Sequence, residues 1–209
     1  NGGEEVAYSG EDRVIIPSPK DVPTYDFKPE MSAQQVTDTV VSKLKDYDMV
    51  ILNFANPDMV GHTGVVEAAI KACEVIDADV KAIAQETLRL GGKLLITADH
   101  GNCEYMRNPD GSPHTAHTTN LVHVFYVAAD AADYTVRDGI LADVAPTLLE
   151  MLGVAQPKQM TGKSLLVSKA KKPVKAPAKA SPKPVPATSE PKKSIVKKNI
   201  SRRSKKWSR

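Results

Sequence analysis

The sequence predicts an α/β fold in which helices cover a mostly parallel sheet, followed by a disordered basic tail. Three continuous apolar runs, at 48–54, 93–98 and 122–128, have the length and composition of strands that are buried on both faces. A long helical pattern separates the first two runs. This strand–helix–strand order is typical of right-handed crossovers between parallel strands. The apolar pattern ends near residue 168.

The first elements of the chain are an irregular segment and a helix. Residues 1–31 are rich in Gly, Pro and acidic side chains, which predicts a lead-in without regular structure. Apolar residues then recur at helical spacing over 33–46, and Ser32 stands where a helix cap is expected. The run 48–54 follows this helix and is predicted to be the first buried strand.

Two further helices complete the predicted order. Residues 64–90 repeat apolar positions at helical spacing, and the glycine pair 91–92 predicts the end of that helix. The segment 141–153 is predicted to be the last helix, with Gly153 just past its end. Pro146 either kinks this helix or lies in its first turn, and the sequence leaves both alternatives open.

Charge divides the chain into an acidic body and a basic tail. Residues 168–209 carry a formal charge of +14, while residues 1–167 carry −11. The tail has six prolines and little apolar surface to bury, so it is predicted to be disordered. Its charge suits nucleic acid or another polyanion, although we do not expect such binding to be its main role.

Cysteine content and hydropathy indicate the cellular setting. The two cysteines, Cys73 and Cys103, make no disulfide framework, which favours a reducing compartment. No apolar run reaches about 18 residues, so a membrane helix is not expected. A cytoplasmic protein is therefore predicted. The chain begins at Asn1 without Met or a signal-like segment, and we expect further residues upstream.

Two aspartate–histidine pairs follow predicted strands. Asp58 and His62 come after the first strand, and Asp99 and His100 come after the second. His117 precedes the third strand. Because ligands bind beyond the carboxyl ends of the strands in open α/β sheets, these side chains are predicted to converge at one edge.

The chemistry of these five side chains favours a metal centre. Carboxylate and imidazole together suit Mn²⁺, Zn²⁺ or Fe²⁺, whereas an all-oxygen set would suit Mg²⁺ or Ca²⁺ better. Five ligands exceed the number that one tetrahedral ion needs. A two-metal site with ions about 4 Å apart, of the kind that handles phosphoryl oxygens, is therefore predicted.

Other interpretations apply to each motif taken alone. A single Asp-x-x-x-His pair is most often a surface feature or a helix cap, and an Asp-His-Gly turn can present its histidine to solvent. Their joint placement favours the metal site. His114 is not expected to be a ligand; it lies behind the ligands or faces the substrate. His123 is expected in the core, and Cys103 is either a thiolate ligand or, as we prefer, a small packing residue.

Four segments together resemble a known enzyme family. "NFANPDMVGHTG", "LLITADHGNCEYM", "HTAHTTN" and "LADVAPTLLEMLG" with "MTGKSLL" resemble the cofactor-independent (2,3-bisphosphoglycerate-independent) phosphoglycerate mutases of the alkaline phosphatase superfamily. "GEDRVIIPSPK" and "TYDFKPEMSA" resemble the segment that leads into the second phosphatase half of these enzymes. The resemblance covers residues 1–167 and excludes the tail.

The resemblance implies a fold, a division into domains and a metal content. The fold would be alkaline-phosphatase-like, with residues 32–167 as the C-terminal half of the metal-binding phosphatase domain. Residues 1–31 would lead in from an inserted transferase domain, as a hinge, and 168–209 would be the tail. Two Mn²⁺ ions are implied as cofactors, with Mg²⁺ or Co²⁺ as substitutes.

The resemblance also assigns roles to individual residues. Asp58, His62 and His117 would hold one metal ion, while Asp99 and His100 would contribute to the other. Lys20 would contact the phosphate of the substrate. The serine nucleophile and a further aspartate ligand belong to the family's N-terminal part, so no catalytic residue is expected in this chain.

The implied function is an isomerase of glycolysis that interconverts 3-phosphoglycerate and 2-phosphoglycerate through a phosphoserine. This chain would be a fragment of that enzyme, inactive alone, with phosphoglycerate as its small-molecule partner and a monomeric state. One alternative is a metal-dependent phosphohydrolase of the same superfamily. Another is a catalytically dead remnant whose basic tail binds polyanions.

Overall fold

The computed structural model describes residues 6–169. Its helices are α1 (Ala33–Lys43), α2 (Asn56–Gly61), α3 (Val66–Arg89) and α4 (Val144–Leu152), and its strands are β1 (Leu94–Thr97), β2 (Val124–Val127), β3 (Tyr134–Val136) and β4 (Leu166–Ser168). Short 3₁₀ turns lie at Tyr25–Phe27, Leu44–Asp46, Ala131–Asp133 and Leu141–Asp143. Helices and strands thus mix along the chain, and the predicted α/β class is confirmed.

Helix α1 forms where the apolar periodicity predicts it, although its start is stabilised differently. The helix and the following 3₁₀ turn together span the predicted 33–46. Ser32 precedes the helix, but its hydroxyl donates to the carbonyl oxygen of Pro17 at 2.7 Å and makes no capping bond. The serine therefore ties the lead-in segment to the helix start.

Helix α3 is the centre of the packed helices. Helices α1 and α2 both pack against it, and the glycine at 91, with φ +73°, lies just past its end. The main core cluster lies where α2 meets α3 and the loop after β1; its members are Val60, Ala68, Ala69, Ala72 and Met106. Three alanines on the buried face of α3 give the short helix α2 room to approach closely.

The strands pair in an antiparallel manner, which corrects the predicted parallel sheet. In β1–β2, Leu94 lies opposite Val127 and Thr97 lies opposite Val124, and β3 and β4 also run antiparallel. A parallel pair needs a crossover back to the same end, usually through a helix. The loop between β1 and β2 contains no helix and instead folds back on itself, so the second strand returns in the opposite direction.

The predicted first strand at 48–54 is wrong. This segment has no strand structure, and Met49, Val50 and Ile51 are 49%, 38% and 76% exposed. A strand requires a neighbour for its backbone N–H and C=O groups. Residues 6–169 provide no such strand neighbour for this segment, so Met49, Val50 and Ile51 remain exposed, while Leu52 and Phe54 are half-buried.

Helix α4 settles the position of Pro146. The helix begins at Val144 after a 3₁₀ turn, so the proline lies in its first turn, where a missing N–H breaks no helical bond. Gly153, with φ +69°, takes the left-handed conformation at the end of the helix. The predicted helix 141–153 is thereby confirmed.

The ordered body continues slightly beyond the predicted boundary. Ser168 pairs with Tyr134 in the β3–β4 ladder, and the Lys169 N–H donates to the Asp133 carbonyl oxygen at 2.8 Å. The predicted disorder of the tail concerns residues that, from 170 onward, lie outside the described part of the chain. Between residues 6 and 169, no helix has both the length and the apolar character needed to cross a bilayer.

Candidate metal centre

The short helix α2 carries the first two candidate ligands. Asp58 lies in its first turn and His62 follows its last residue, which places the two side chains on one face. The Nε2 atom of His62 lies 3.2 Å from Oδ1 of Asp58. Pro57 at the start of the helix costs no hydrogen bond there, which explains how such a short helix begins with proline.

The third ligand comes from the loop between β1 and β2. His117 Nε2 lies 3.0 Å from Asp58 Oδ1 and 3.0 Å from His62 Nε2. The three ligand atoms therefore form a nearly equilateral triangle, and within the described residues this is the one group of three that could hold an ion. The three side chains are 32% to 49% exposed, which leaves one side of the triangle open.

The dimensions of this triangle fit a metal ion. An octahedral ion with bonds of about 2.1 Å separates neighbouring ligand atoms by about 3.0 Å, which matches the observed spacing of the three atoms. Two imidazole nitrogens and one carboxylate oxygen form a donor set that suits Mn²⁺, Fe²⁺ or Zn²⁺. The triangle would occupy one face of the ion and leave positions for other groups.

The hydrogen bond of His62 assigns its tautomer. Its Nδ1 atom lies 2.6 Å from the carbonyl oxygen of Thr115. A carbonyl only accepts, so Nδ1 carries the proton and Nε2 of the neutral ring presents its lone pair to the triangle. Histidines that bind metals usually donate a hydrogen bond from the N–H of their other ring nitrogen in this way.

A buried asparagine orients the carboxylate of Asp58. The amide of Asn102 donates to Asp58 Oδ1 at 2.8 Å and to the Asp58 carbonyl oxygen at 3.2 Å. Residue 61 must be glycine for this contact, because a Cβ there would overlap the side-chain amide of Asn102. Asn102 is a site residue that the motifs did not indicate, although its position next to "DHG" was a usable signal.

Asp99 and His100 lie beside the triangle and outside it. The His100 ring stacks on His117, with ring centroids 3.7 Å apart, and its Nε2 lies 3.6 Å from Asp99 Oδ1. The Asp99 side chain is 73% exposed. The structure thus brings three of the five predicted ligands into one group and places a fourth against it.

The remaining histidines and Cys103 have other environments. His114 packs edge-on against Tyr105, and its Nδ1 is buried without a partner among the described residues. His123 is exposed beside Phe125, so the expectation of a core histidine is wrong; this end of the two-stranded sheet is uncovered. The Cys103 thiol donates to the Pro57 carbonyl oxygen at 2.7 Å, in keeping with a packing role.

Lys20 lies in the irregular segment before the first 3₁₀ turn and is exposed. Among the hydrogen bonds and ion pairs of residues 6–169, none joins it to the triangle. Its predicted contact with phosphate stays a prediction.

The sequence is similar to those of known metal-dependent enzymes. A sequence model described as Metalloenzyme superfamily matches residues 1–156. The 2,3-bisphosphoglycerate-independent phosphoglycerate mutase of Akkermansia muciniphila is 60% identical over 166 residues, covering 79% of this chain and 32% of that protein. The enzyme of the same name from Syntrophotalea carbinolica is 58% identical over 168 residues, covering 79% and 33%.

A solved structure gives the same relationship in three dimensions. The crystal structure of Leishmania mexicana phosphoglycerate mutase at low cobalt concentration superposes with a TM-score of 0.66 at 29% identity, covering 74% of this chain and 31% of that one. The chain spans about a third of the length of the curated relatives it matches. These comparisons confirm the resemblance that the motifs indicated, and the alkaline-phosphatase-like fold with it. The family match covers most of the chain, and the chain belongs to the Metalloenzyme superfamily.

Proposed function

We propose that this chain supplies the metal-binding part of a 2,3-bisphosphoglycerate-independent phosphoglycerate mutase, which interconverts 3-phosphoglycerate and 2-phosphoglycerate. The observation that carries the proposal is the triangle of Asp58, His62 and His117, found in a chain 60% identical to an enzyme of that name. Its position at the junction of α2 and the loop after β1 leaves it open to a substrate.

The proposed metal ligands fall into two groups. Asp58, His62 and His117 hold one ion, while Asp99 and His100 contribute to a second ion next to it. The stacking of His100 on His117 supports this neighbourhood. We propose Mn²⁺ as the metal, with Mg²⁺ or Co²⁺ as substitutes, since the mixed nitrogen and oxygen donors favour a transition metal.

The roles of the protein groups follow from their contacts. The bond from His62 Nδ1 to Thr115 keeps the free nitrogen aimed at the triangle, and Asn102 fixes the rotation of the Asp58 carboxylate. For Lys20 we propose a contact with the phosphate on the family resemblance of its segment alone. When bound, the metal ions would supply positive charge that stabilises the phosphoryl oxygens and the attacking oxygen.

In the proposed phosphoserine pathway, the serine that accepts the phosphoryl group lies in the N-terminal part of the family's enzymes, which these 209 residues do not include. The 209-residue chain alone is therefore expected to show no conversion of 3-phosphoglycerate. When it is joined to the other two thirds of the length found in its relatives, conversion is expected, and His62→Ala in that protein should lower kcat/KM by orders of magnitude. Release of free phosphate in place of 2-phosphoglycerate would instead identify a phosphohydrolase.

Binding of Mn²⁺ to the 209-residue chain tests the site directly. Calorimetric titration should show binding that His62→Ala and Asp58→Asn each weaken at least about tenfold. His123→Ala is the matched control, because that histidine is exposed and lies outside the triangle. Equal affinity of the wild type and both triangle variants would contradict the proposed site.

A further inference from the structure

The loop between β1 and β2 must hold its own shape, because it contains no helix. It consists of two limbs: one carries Asp99 and His100, and the other carries His117. The limbs meet at an isolated antiparallel bridge in which the Thr118 N–H donates to the Gly101 carbonyl oxygen at 2.9 Å. A second isolated bridge, Arg107–Pro113, joins the limbs nearer the tip of the loop, so close to the candidate ligands the Gly101–Thr118 bridge is the backbone connection between them.

The carboxylate of Glu104 joins the same two limbs through side chains. Its Oε2 accepts from the Asn102 N–H at 2.6 Å on the first limb. Its Oε1 accepts from the Thr118 hydroxyl and from the Asn120 side-chain amide, the latter at 3.0 Å, on the second limb. One carboxylate therefore accepts hydrogen bonds from both limbs of the loop.

The packing around Glu104 is tight. A Cβ at position 101 would overlap both the carboxylate of Glu104 and the hydroxyl of Thr118, so the carboxylate lies directly against the glycine backbone. Burial raises the pKa of Glu104, but the hydrogen bonds from Thr118, Asn120 and Asn102 outweigh it and hold the pKa below its ordinary value. The group is thus a charged acceptor surrounded by neutral donors.

Two of the three partners of Glu104 adjoin a candidate ligand. Thr118 follows His117 in the chain, and Asn102 both holds the carboxylate of Asp58 and lies two residues after His100. Displacement of the carboxylate would release the His117 limb and the asparagine that orients Asp58 at the same time.

We infer that Glu104 is a positioning residue of the metal centre, which holds the His117 limb against the limb that orients Asp58. The inference rests on the proposed function, since it concerns the same site. Loss of a group that orients metal ligands commonly weakens metal affinity about 10–100-fold, and this is the effect expected here.

The test compares variants of the full 209-residue chain by Mn²⁺ titration. Glu104→Ala and Thr118→Val should each weaken Mn²⁺ binding by at least about tenfold. Thr118→Ser keeps the hydroxyl and should retain affinity within about twofold. Glu104→Gln keeps an acceptor for one limb, while its NH₂ can bond the other limb only if the Thr118 hydroxyl turns to accept; it should therefore give an intermediate affinity.

Two controls separate positioning from other effects. Thr147→Val, destabilising but without contact to the triangle, should leave Mn²⁺ affinity unchanged even as it lowers stability. The loss in Glu104→Ala should persist at about 0.5 M salt, where long-range attraction between exposed charges is screened. Thr118→Val changes no charge, so its loss cannot arise from electrostatic attraction.

The outcomes distinguish the inference from the function on which it rests. If His62→Ala weakens Mn²⁺ binding while Glu104→Ala and Thr118→Val do not, the positioning role is overturned and the metal site stands. If His62→Ala also leaves binding unchanged, both are overturned. A loss in Thr118→Ser equal to that in Thr118→Val would likewise overturn the role of the hydroxyl bond.

Discussion

Substitution of Thr147 by valine tests how helix α4 is joined to strand β4. The threonine is fully buried, and its hydroxyl donates to the Asp143 carbonyl oxygen at 2.7 Å and accepts from the Leu165 N–H at 2.8 Å. Valine has nearly the same shape, so it leaves no cavity, but it removes both hydrogen bonds. The Leu165 N–H then remains buried without an acceptor.

The expected loss of stability follows from two opposing contributions. An unsatisfied buried donor costs about 1–3 kcal/mol. The added buried methyl group returns about 0.8 kcal/mol through the hydrophobic effect. A net decrease of about 0.2–2.2 kcal/mol in the free energy of unfolding is therefore expected, which for a chain of this size corresponds to a fall in Tm of up to about 9 °C.

Urea denaturation followed by circular dichroism measures this change, and Thr135→Val provides the matched control. Thr135 is exposed on β3, and its hydroxyl makes only a 3.4 Å contact to the Val167 carbonyl oxygen, so the same chemical change should stay within about 0.5 kcal/mol. Equal stability of Thr147→Val and wild type, or an equal loss in both variants, would refute the reasoning.

Three further predictions concern other residues. Burial raises the pKa of Asp79, as does the charge of Asp38, so the wild-type free energy of unfolding should decrease as pH rises above the unfolded pKa of about 4. Asp79→Asn should lack this decrease. Urea denaturation at pH 4.5 and 7.5 measures it, and an equal change in the wild type and the variant would contradict the prediction. Cys73 is exposed, whereas Cys103 is half-buried with its thiol donating to the Pro57 carbonyl oxygen, so iodoacetamide should alkylate Cys73 first, as peptide mass spectrometry would show; faster labelling of Cys103 would contradict this order. Gly61→Ala should displace Asn102 from the Asp58 carboxylate and weaken Mn²⁺ binding about tenfold or more in a titration. Unchanged affinity would show that the bond from Asn102 to Asp58 is not needed for metal binding.

Local features of the fold could be predicted from the sequence, whereas strand pairing could not. The helices α1, α3 and α4 are found near their predicted bounds because apolar periodicity and the glycines at 91 and 153 act over a few residues. The apolar run 48–54 has the composition of a buried strand, yet its conformation depends on a neighbour elsewhere in the protein. The antiparallel order of β1 and β2 depends on the path of the loop between them, which periodicity does not encode.

The candidate site shows the same division. Asp58 and His62 are four residues apart on a helix, and their shared face follows from that spacing alone. The placement of His117 against them was predicted from its position before a strand, and the structure brings it into the triangle. Asn102 had a usable signal in its position next to "DHG", but its bond to Asp58 on α2 depends on the folded path of the chain. The role of Glu104 could not be predicted, because it depends on hydrogen bonds across an irregular loop.

The triangle has a consequence for the order in which the chain gains its properties. His62 and His117 are 55 residues apart, and Asp58 lies 44 residues from the asparagine that orients it. In the unfolded chain only Asp58 and His62 are neighbours, and closing the intervening segment costs entropy that short-range helix formation does not. A refolding chain should therefore recover its helical circular dichroism before its full affinity for Mn²⁺. The delay between the two signals would measure the time that this long-range closure takes.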